Sequence, residues 1–168
     1  LKMWYTGGNE IVWEEPMTKI GYAWSLDGVD WTRHHSNPVL LPKFGYLIFG
    51  CAVIKDAEAY KIWYGESTEA GYPGKRIGYA TSPDGINWTK DKNPVLDTGA
   101  VGAWDSRGVF APSVLLRDDV FHMWFTGYTS DGIFRSIGYA TSQDGINWVK
   151  YENNPVLEKG SAGEWDGG

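Results

Sequence analysis

The chain has 168 residues, of which 42% are hydrophobic and 21% charged, and its net charge is −6. This composition is typical of one globular domain and excludes a disordered chain. No apolar run approaches the roughly 20 residues of a membrane-spanning helix, and no block of Lys or Arg provides the basic face that nucleic acid requires. We therefore expect neither a membrane nor nucleic acid as a partner.

One segment of the sequence occurs three times. IGYAWSLDGVDW, IGYATSPDGINW and IGYATSQDGINW begin at residues 20, 77 and 137. A run of the type KMWYTGG precedes each copy, and the tetrapeptide NPVL follows each copy. Spacings of 57 and 60 residues predict a repeat architecture within a single domain. The repeats cover approximately residues 1–42, 43–102 and 103–162.

The elements predicted within each repeat are β-strands. In chain order they are KMWYTGG and IGYAWS, then LIFGCAVI, KIWYGES and IGYATS, then VFAPSVLLR, HMWFTGY and SIGYATS, each IGYA run being followed by a short fourth strand. These runs are short, aromatic and β-branched, and Gly, Asp, Asn or Pro bounds them. Four antiparallel strands per repeat predict an all-β fold built of β-propeller blades. Superhelical β-solenoids usually have much shorter repeats.

The sequence accounts for about three blades. Residue 1 enters at the second strand of a blade, so the first blade is predicted to lack its innermost strand. Propellers close with roughly four to eight blades. Either the chain is a fragment of a longer propeller, or two copies complete a ring as a homo-oligomer. We expect that the chain is not a solitary monomer. Because position 1 is Leu, localisation stays open.

The Asp-Gly pair in each copy predicts a hairpin turn between the third and fourth strands. The side chains of Ser142 and Asp144 are expected to bond the turn backbone, and Trp148 to pack the hairpin on the neighbouring blade. The recurrence of Asp27, Asp84 and Asp144 at one position suggests a metal or catalytic set. Repetition favours a structural turn instead, because the active site of a propeller is unique.

The innermost strands of a propeller line its central funnel, where ligands bind. Asp105 and Arg107 precede one such strand, and Phe44 and Tyr46 stand at the aligned places before another. Asp105 is a candidate for catalysis, with a structural turn residue as the equal alternative. The ten Trp and ten Tyr are typical of carbohydrate-binding proteins, although packing between sheets is the favoured explanation for most of them.

A second break in the repeat is Glu66, which stands where the other repeats have Gly7 and Gly127. Gly at a strand end marks a place where a ligand or another backbone comes close. Glu66 either faces a bound polyol or is solvated. Cys51 is expected to be a buried small side chain, and the three scattered histidines offer no metal-ligand spacing. Carboxylates around an aromatic funnel are the groups that glycoside hydrolysis uses.

The motifs VFAPSVLL, HMWFTGY, IGYATSQDGINW and NPVL, introduced by WDSRG, resemble the five-bladed β-propeller glycoside hydrolases of families 43, 32 and 130. The resemblance covers essentially the whole chain and implies a carbohydrate substrate and an axial pair of carboxylic acids. It implies site positions at Trp104, Asp105, Arg107 and Ser113, with Asp166 of EWDGG as a partial repeat. Some relatives hold calcium at the axis, but no ligand for it is identified here and no cofactor is predicted.

The sequence departs from this family pattern in its innermost strands. LIFGCAVI contains no carboxylate, and Ser113 stands where active members have Asp. One hypothesis is that the chain hydrolyses a glycoside, with Asp105, Glu66 and Asp166 as the catalytic candidates. A non-catalytic glycan-binding propeller and an inactive fragment are the alternatives.

Overall fold

The computed structural model describes residues 1–8, 18–43, 47–67, 76–129, 135–161 and 163–166. Within these ranges the secondary structure is β-sheet, and no helix is long and apolar enough to cross a membrane. The strands are β1 (Lys2–Gly8), β2 (Thr18–Trp24), β3 (Thr32–Arg33), β4 (Leu47–Lys55), β5 (Tyr60–Ser67), β6 (Arg76–Ser82), β7 (Thr89–Lys90), β8 (Gly108–Arg117), β9 (Val120–Tyr128), β10 (Arg135–Ser142) and β11 (Val149–Lys150).

The strands form three antiparallel sheets, one for each repeat. The first sheet has the order β1-β2-β3, the second β4-β5-β6-β7 and the third β8-β9-β10-β11. The same register recurs, since Trp4, Trp63 and Trp124 lie opposite Tyr22, Tyr79 and Tyr139. The all-β prediction of four-stranded propeller blades is confirmed. In the described residues the first sheet has three strands, as its sequence predicts.

The NPVL tails return to the strand that bears the IGYA motif. Leu40, Leu96 and Leu157 each form a bridge with the Ile of that motif in their own repeat. In the first repeat, the Asn37 side chain accepts a hydrogen bond from the Tyr22 N–H at 2.8 Å and donates one to the Tyr22 carbonyl at 2.9 Å. The Asn37 side chain thus makes, with the Tyr22 backbone, the two hydrogen bonds that a neighbouring strand would otherwise make.

The core lies between neighbouring sheets. One cluster joins the second and third sheets and includes Trp63, Ile77, Met123 and Phe125. The other joins the first and second sheets and includes Ile20, Leu40, Ile48, Ile62, Tyr64 and Ala80. Packing therefore accounts for many of the repeated aromatic residues. The half-buried Cys51 thiol lies 3.7 Å from the Trp4 carbonyl, and burial raises its pKa to about 11, so it is a poor nucleophile.

The Asp-Gly motifs form turns with the same backbone hydrogen bonds. The Ser142 hydroxyl lies 2.9 Å from Asp144 Oδ1, and that carboxylate accepts the N–H groups of Ile146 and Asn147 at 2.8 and 2.7 Å. Gly145 takes a φ of 80°, in the region that favours glycine. The same bonds hold Asp27 and Asp84 and lower the pKa of each carboxyl group, that of Asp27 to about 2. These carboxylates are occupied in backbone hydrogen bonds, as expected for a structural turn.

An indole from each of the first two sheets donates a hydrogen bond to the turn of the following sheet. Trp4 Nε1 donates to the Gly85 carbonyl at 2.7 Å, and Trp63 Nε1 donates to the Gly145 carbonyl at 2.8 Å. Trp63 is fully buried and lies edge-on to Trp148 at 6.0 Å. Trp148 therefore packs on the neighbouring blade, as its sequence position predicts. We call the hydrogen bond from Trp4 or Trp63 to the turn glycine of the following sheet the tryptophan lock.

Candidate functional site

The candidate site is the end of the sheets at which the innermost strands begin, which we call the inner-strand end. Leu47 pairs with Ser67 there in the second sheet, and Gly108 pairs with Tyr128 in the third. The Ile48 N–H donates to Thr18 Oγ1 at 3.1 Å and so ties the second sheet to the first. Phe44 and Tyr46, predicted to bind substrate, lie outside the described residues.

Both innermost strands carry a bulge just after this end. The ladder between β4 and β5 shifts at Gly50, and the ladder between β8 and β9 shifts at Ala111. These repeat-equivalent residues take φ values of 51° and 50°. They lie side by side, since a Cβ added to Gly50 would stand 3.6 Å from the Ala111 Cα. Such bulges are frequent beside active sites, where they redirect side chains.

Arg107 lies at the inner-strand end with its side chain exposed, and its backbone N–H donates to the Tyr128 carbonyl at 3.1 Å. Arg135 places its guanidinium 5.2 Å from the ring centre of Phe110, which in turn lies edge-on to Tyr128 at 5.8 Å. Sequence reasoning missed these neighbours of Arg107. The sequence contains a signal for Tyr128, because this large aromatic residue stands where the other repeats have the small residues Gly8 and Ser67.

Asp105 is 2% exposed, and its Oδ2 lies 2.5 Å from Lys150 Nζ on the outermost strand β11. The same ammonium group donates to the Asp97 carbonyl at 2.7 Å. Gly99 faces this carboxylate, and a side chain there would overlap Asp105 Oδ1. These contacts favour the structural alternative for Asp105, because Lys150 neutralises its charge within the third sheet. A catalytic role for Asp105 stays a prediction.

Trp104 is half-buried and stacks on Phe125, with ring centres 5.8 Å apart and planes inclined by 29°. Its ring passes over two glycines of the third sheet. A Cβ on Gly138 would stand 2.7 Å from the ring, and one on Gly127 would overlap it. Glycine at these two positions therefore makes room for the indole. Packing explains Trp104, and substrate binding by it stays a prediction.

Glu66 is half-buried next to the end of β5, opposite Ile48 and Arg76 in the neighbouring strands. Its repeat equivalent is Gly127, over which Trp104 and Asp105 pack in the third sheet. Lys90, the equivalent of Lys150, has its pKa lowered by burial, and the charge of Glu66 opposes that shift. Among the described residues Glu66 and Lys90 form no ion pair, unlike Asp105 and Lys150 in the third sheet.

Ser113 and Asp166 are both exposed, and no contact among the described residues joins either of them to Glu66 or Asp105. Ser113 is exposed beyond the bulge of β8, directly opposite Trp124. Asp166 lies in an exposed turn, with its carboxylate against Gly160 as that of Asp105 lies against Gly99. Among the described residues, no group of three or more His, Cys, Asp or Glu side chains is arranged to hold a metal ion.

Comparison with known proteins places these features in a family. The model of the glycosyl hydrolases family 32 N-terminal domain matches residues 50–166. A 1,2-beta-oligomannan phosphorylase of Thermoanaerobacter sp. (strain X514) is 30% identical over 131 residues, which cover 70% of this chain and 43% of that protein. A bifunctional fructosyltransferase of Allium cepa, named as 6(G)-fructosyltransferase/2,1-fructan:2,1-fructan 1-fructosyltransferase, is 31% identical over 105 residues, which cover 58% of this chain and 16% of that protein.

The fold has counterparts among solved structures. Zg3597, a family 117 glycoside hydrolase of the marine bacterium Zobellia galactanivorans, superposes with a TM-score of 0.73 at 19% identity. The superposition covers 95% of this chain and 54% of that protein. The chain thus spans about half the length of this structural relative, and less of the two curated ones. The resemblance to propeller glycoside hydrolases is confirmed, and the chain belongs to the family of the glycosyl hydrolase family 32 N-terminal domain.

Proposed function

We propose that the chain acts on a carbohydrate at the inner-strand end and hydrolyses a glycosidic bond there with carboxylic acid groups. The observation that carries this proposal is the family match over residues 50–166. That span contains all three carboxylates at which the repeat is broken or restarted, Glu66, Asp105 and Asp166. It also contains the two bulges, which stand next to each other beside the proposed site.

Glycoside hydrolysis requires two carboxyl groups with different tasks. One protonates the leaving oxygen, and the other activates water or attacks the sugar, at separations of roughly 5 to 9.5 Å. Glu66 is the group that we propose first, because it is half-buried at a strand end without a bidentate backbone cap. Asp105 is the proposed second group, and it has to leave Lys150 to reach a substrate. Asp166 is the proposed third candidate.

The proposed substrates are mannosides, with fructosides as the second class. The oligomannan phosphorylase covers 70% of this chain, and the fructosyltransferase covers 58%. The exposed Arg107 supports a polyhydroxylated ligand, since its guanidinium provides several hydrogen-bond donors to hydroxyl groups.

The proposal is tested by sugar release from β-1,2-linked mannooligosaccharides and from fructans, with and without inorganic phosphate. Glu66→Gln is expected to lower the rate by about 100-fold or more, because it removes a group that transfers a proton. Glu58→Gln is the matched control, since Glu58 is exposed in the turn between β4 and β5. Full activity in Glu66→Gln, or loss of activity only together with loss of folding, would contradict the proposal.

Glycan binding without cleavage is the second candidate function. It is favoured by the ion pair of Asp105 with Lys150, which occupies one of the two carboxylates that hydrolysis needs. Calorimetric titration with the same oligosaccharides distinguishes the two functions. Binding with no product, unchanged in Asp105→Ala, would indicate a binding module.

A further inference from the structure

A cleft lies between the second and third sheets, at the end opposite to the inner-strand end. Its volume is about 710 Å³, within the range of about 300 to 1,000 Å³ that small-molecule sites occupy. The turns that follow β4 and β8 contribute Glu58 and Asp119 to its wall. Because β4 has nine residues, at about 3.3 Å a residue it separates this cleft from the inner-strand end by about 25 to 30 Å. We call it the turn-side cleft.

Five polar side chains that line the turn-side cleft have no hydrogen bond or ion pair with any residue that the structure describes. They are Glu58, Tyr79, Thr81, Asp119 and Gln143. Tyr79 is the clearest case, because the residue is only 3% exposed and its hydroxyl, which is not sealed from solvent, opens on the cleft. In the third sheet the equivalent hydroxyl of Tyr139 lies 2.6 Å from His122 Nδ1. A tyrosine buried to this extent usually bonds its hydroxyl, so the partner of Tyr79 comes from the cleft.

The corresponding space between the first and second sheets is bridged. There Lys2 of the first sheet donates to the Tyr60 hydroxyl of the second sheet at 2.7 Å. In the turn-side cleft Phe121 stands at the position of that tyrosine and offers no hydroxyl. Lys61, the equivalent of Lys2, binds Asp56 of its own sheet at 2.6 Å instead. The turn-side cleft is therefore a place where the repeat is broken.

Charge disfavours an anionic ligand in the turn-side cleft. Among the described residues that line it, the only cation is Lys61, which Asp56 neutralises. Glu58 and Asp119 remain as carboxylates without a counter-ion, and an anion would meet like charges. Burial and the nearby carboxylates raise the pKa of Tyr79 to about 12, so its hydroxyl stays protonated and can donate.

The groups that remain match a neutral polyhydroxylated ligand. Carboxylates accept hydrogen bonds from hydroxyl groups, whereas an amide or a hydroxyl both donates and accepts. Gln143 supplies the amide, at a position where the second sheet has Pro83. Leu116 and Ile146 are 38% and 39% exposed and offer apolar surface to the C–H groups of a sugar ring. A cationic ligand would gain little, because an ion pair with an exposed carboxylate contributes little free energy.

We propose that the turn-side cleft is a second carbohydrate-binding site, which takes a neutral oligosaccharide with Tyr79, Asp119 and Gln143 as its hydrogen-bonding groups. The cleft lies at the opposite end of the sheets from the proposed catalytic groups, so it holds a glycan without taking part in its cleavage. This role goes beyond the proposed function, since binding here requires no hydrolysis.

The proposal is tested by NMR titration of the isotope-labelled full chain with β-1,2-linked mannotriose and with a fructan trisaccharide. We expect one or both to shift the backbone amide signals of Asp119 and Gln143 to saturation. Tyr79→Phe keeps the ring and removes the hydroxyl, so it is expected to raise the dissociation constant about five- to tenfold. Asp119→Asn, a second variant at an exposed turn, is expected to raise it at least about fivefold. Asp118→Asn is the matched control and is expected to change nothing, because Asp118 shares the turn and the left-handed φ, 51° beside 61°, but does not line the cleft.

Three results would overturn the proposal. One is that neither trisaccharide shifts these amide signals. Another is that Tyr79→Phe and Asp119→Asn bind the trisaccharides as tightly as the unmodified chain does. The third is that spermidine or mannose 6-phosphate shifts the signals and the trisaccharides do not. Because the signals report on the turn-side cleft itself, each result is independent of whether the chain releases sugar.

Discussion

The ion pair between Asp105 and Lys150 gives the sharpest prediction about stability. The carboxylate is 2% exposed, and the two charged groups are 2.5 Å apart. Lys150→Met leaves a buried carboxylate without its cation, a change that costs about 3 to 5 kcal/mol. The Lys150 side chain is 28% exposed, and water reaching it places the expected loss near the lower limit, about 3 kcal/mol.

This loss corresponds to a fall in Tm of about 6 to 12 °C for a domain of this size. Thermal and urea unfolding of the full chain measure it. Lys90→Met is the matched control, because Lys90 occupies the same place in the second sheet and burial lowers the pKa of its ammonium group. Removing a cation that burial already disfavours is expected to cost less than about 1 kcal/mol.

Two results would refute this reasoning. One is an equal loss of stability in Lys150→Met and Lys90→Met, which would show that Asp105 does not distinguish the two sheets. The other is an Asp105→Asn variant with unchanged Tm that no longer releases sugar. That variant would show that the carboxylate serves chemistry rather than packing.

Three further predictions concern the architecture. Trp63→Phe loses the hydrogen bond to Gly145 and is expected to lower the free energy of unfolding by about 1 to 2 kcal/mol in urea titrations. An unchanged unfolding midpoint would show that the tryptophan lock does not stabilise the fold. Gly50→Ala puts a side chain in the left-handed region and should lower the free energy of unfolding by about 1 to 2 kcal/mol. Ala111→Gly should lower neither Tm nor the unfolding midpoint. A stable Gly50→Ala variant with a destabilised Ala111→Gly variant would contradict the left-handed conformation of the two bulges. The pKa of Asp144 is lowered by its hydrogen bonds, so its contribution is complete above about pH 4 and is lost as the pH falls through the lower folded-state pKa. Tm should therefore fall less steeply below about pH 4 in Asp144→Asn than in the unmodified chain, and parallel slopes would contradict this.

The repeat made most of the fold predictable from sequence. Once the three copies of IGYA were aligned, strand order, register and turn geometry followed, because each repeat must bury the same face. The role of the turn carboxylates was also predictable. Asp144 recurs with Ser142 and Gly145, and that combination bonds a turn in every copy.

The surroundings of the candidate site were harder to foresee. Asp105 contacts Lys150, which is 45 residues away in the sequence and lies on the opposite edge strand of the four-stranded sheet. A signal existed, since Arg33, Lys90 and Lys150 place a cation at the same position of every repeat. The sequence does not show that Trp104 and Asp105 pack over Gly127, the repeat equivalent of Glu66. That contact depends on which side chains lie over a glycine, and the repeat pattern does not specify them.

The central claim is that carboxylates repeated in every blade build turns, while chemistry belongs where the repeat is broken. The most direct test is sugar release from β-1,2-linked mannooligosaccharides by Glu66→Gln and Asp144→Asn, each assayed below its own unfolding temperature. The account predicts that Asp144→Asn retains the activity of the unmodified chain and that Glu66→Gln loses it. Loss of activity in folded Asp144→Asn, with full activity in Glu66→Gln, would contradict the account.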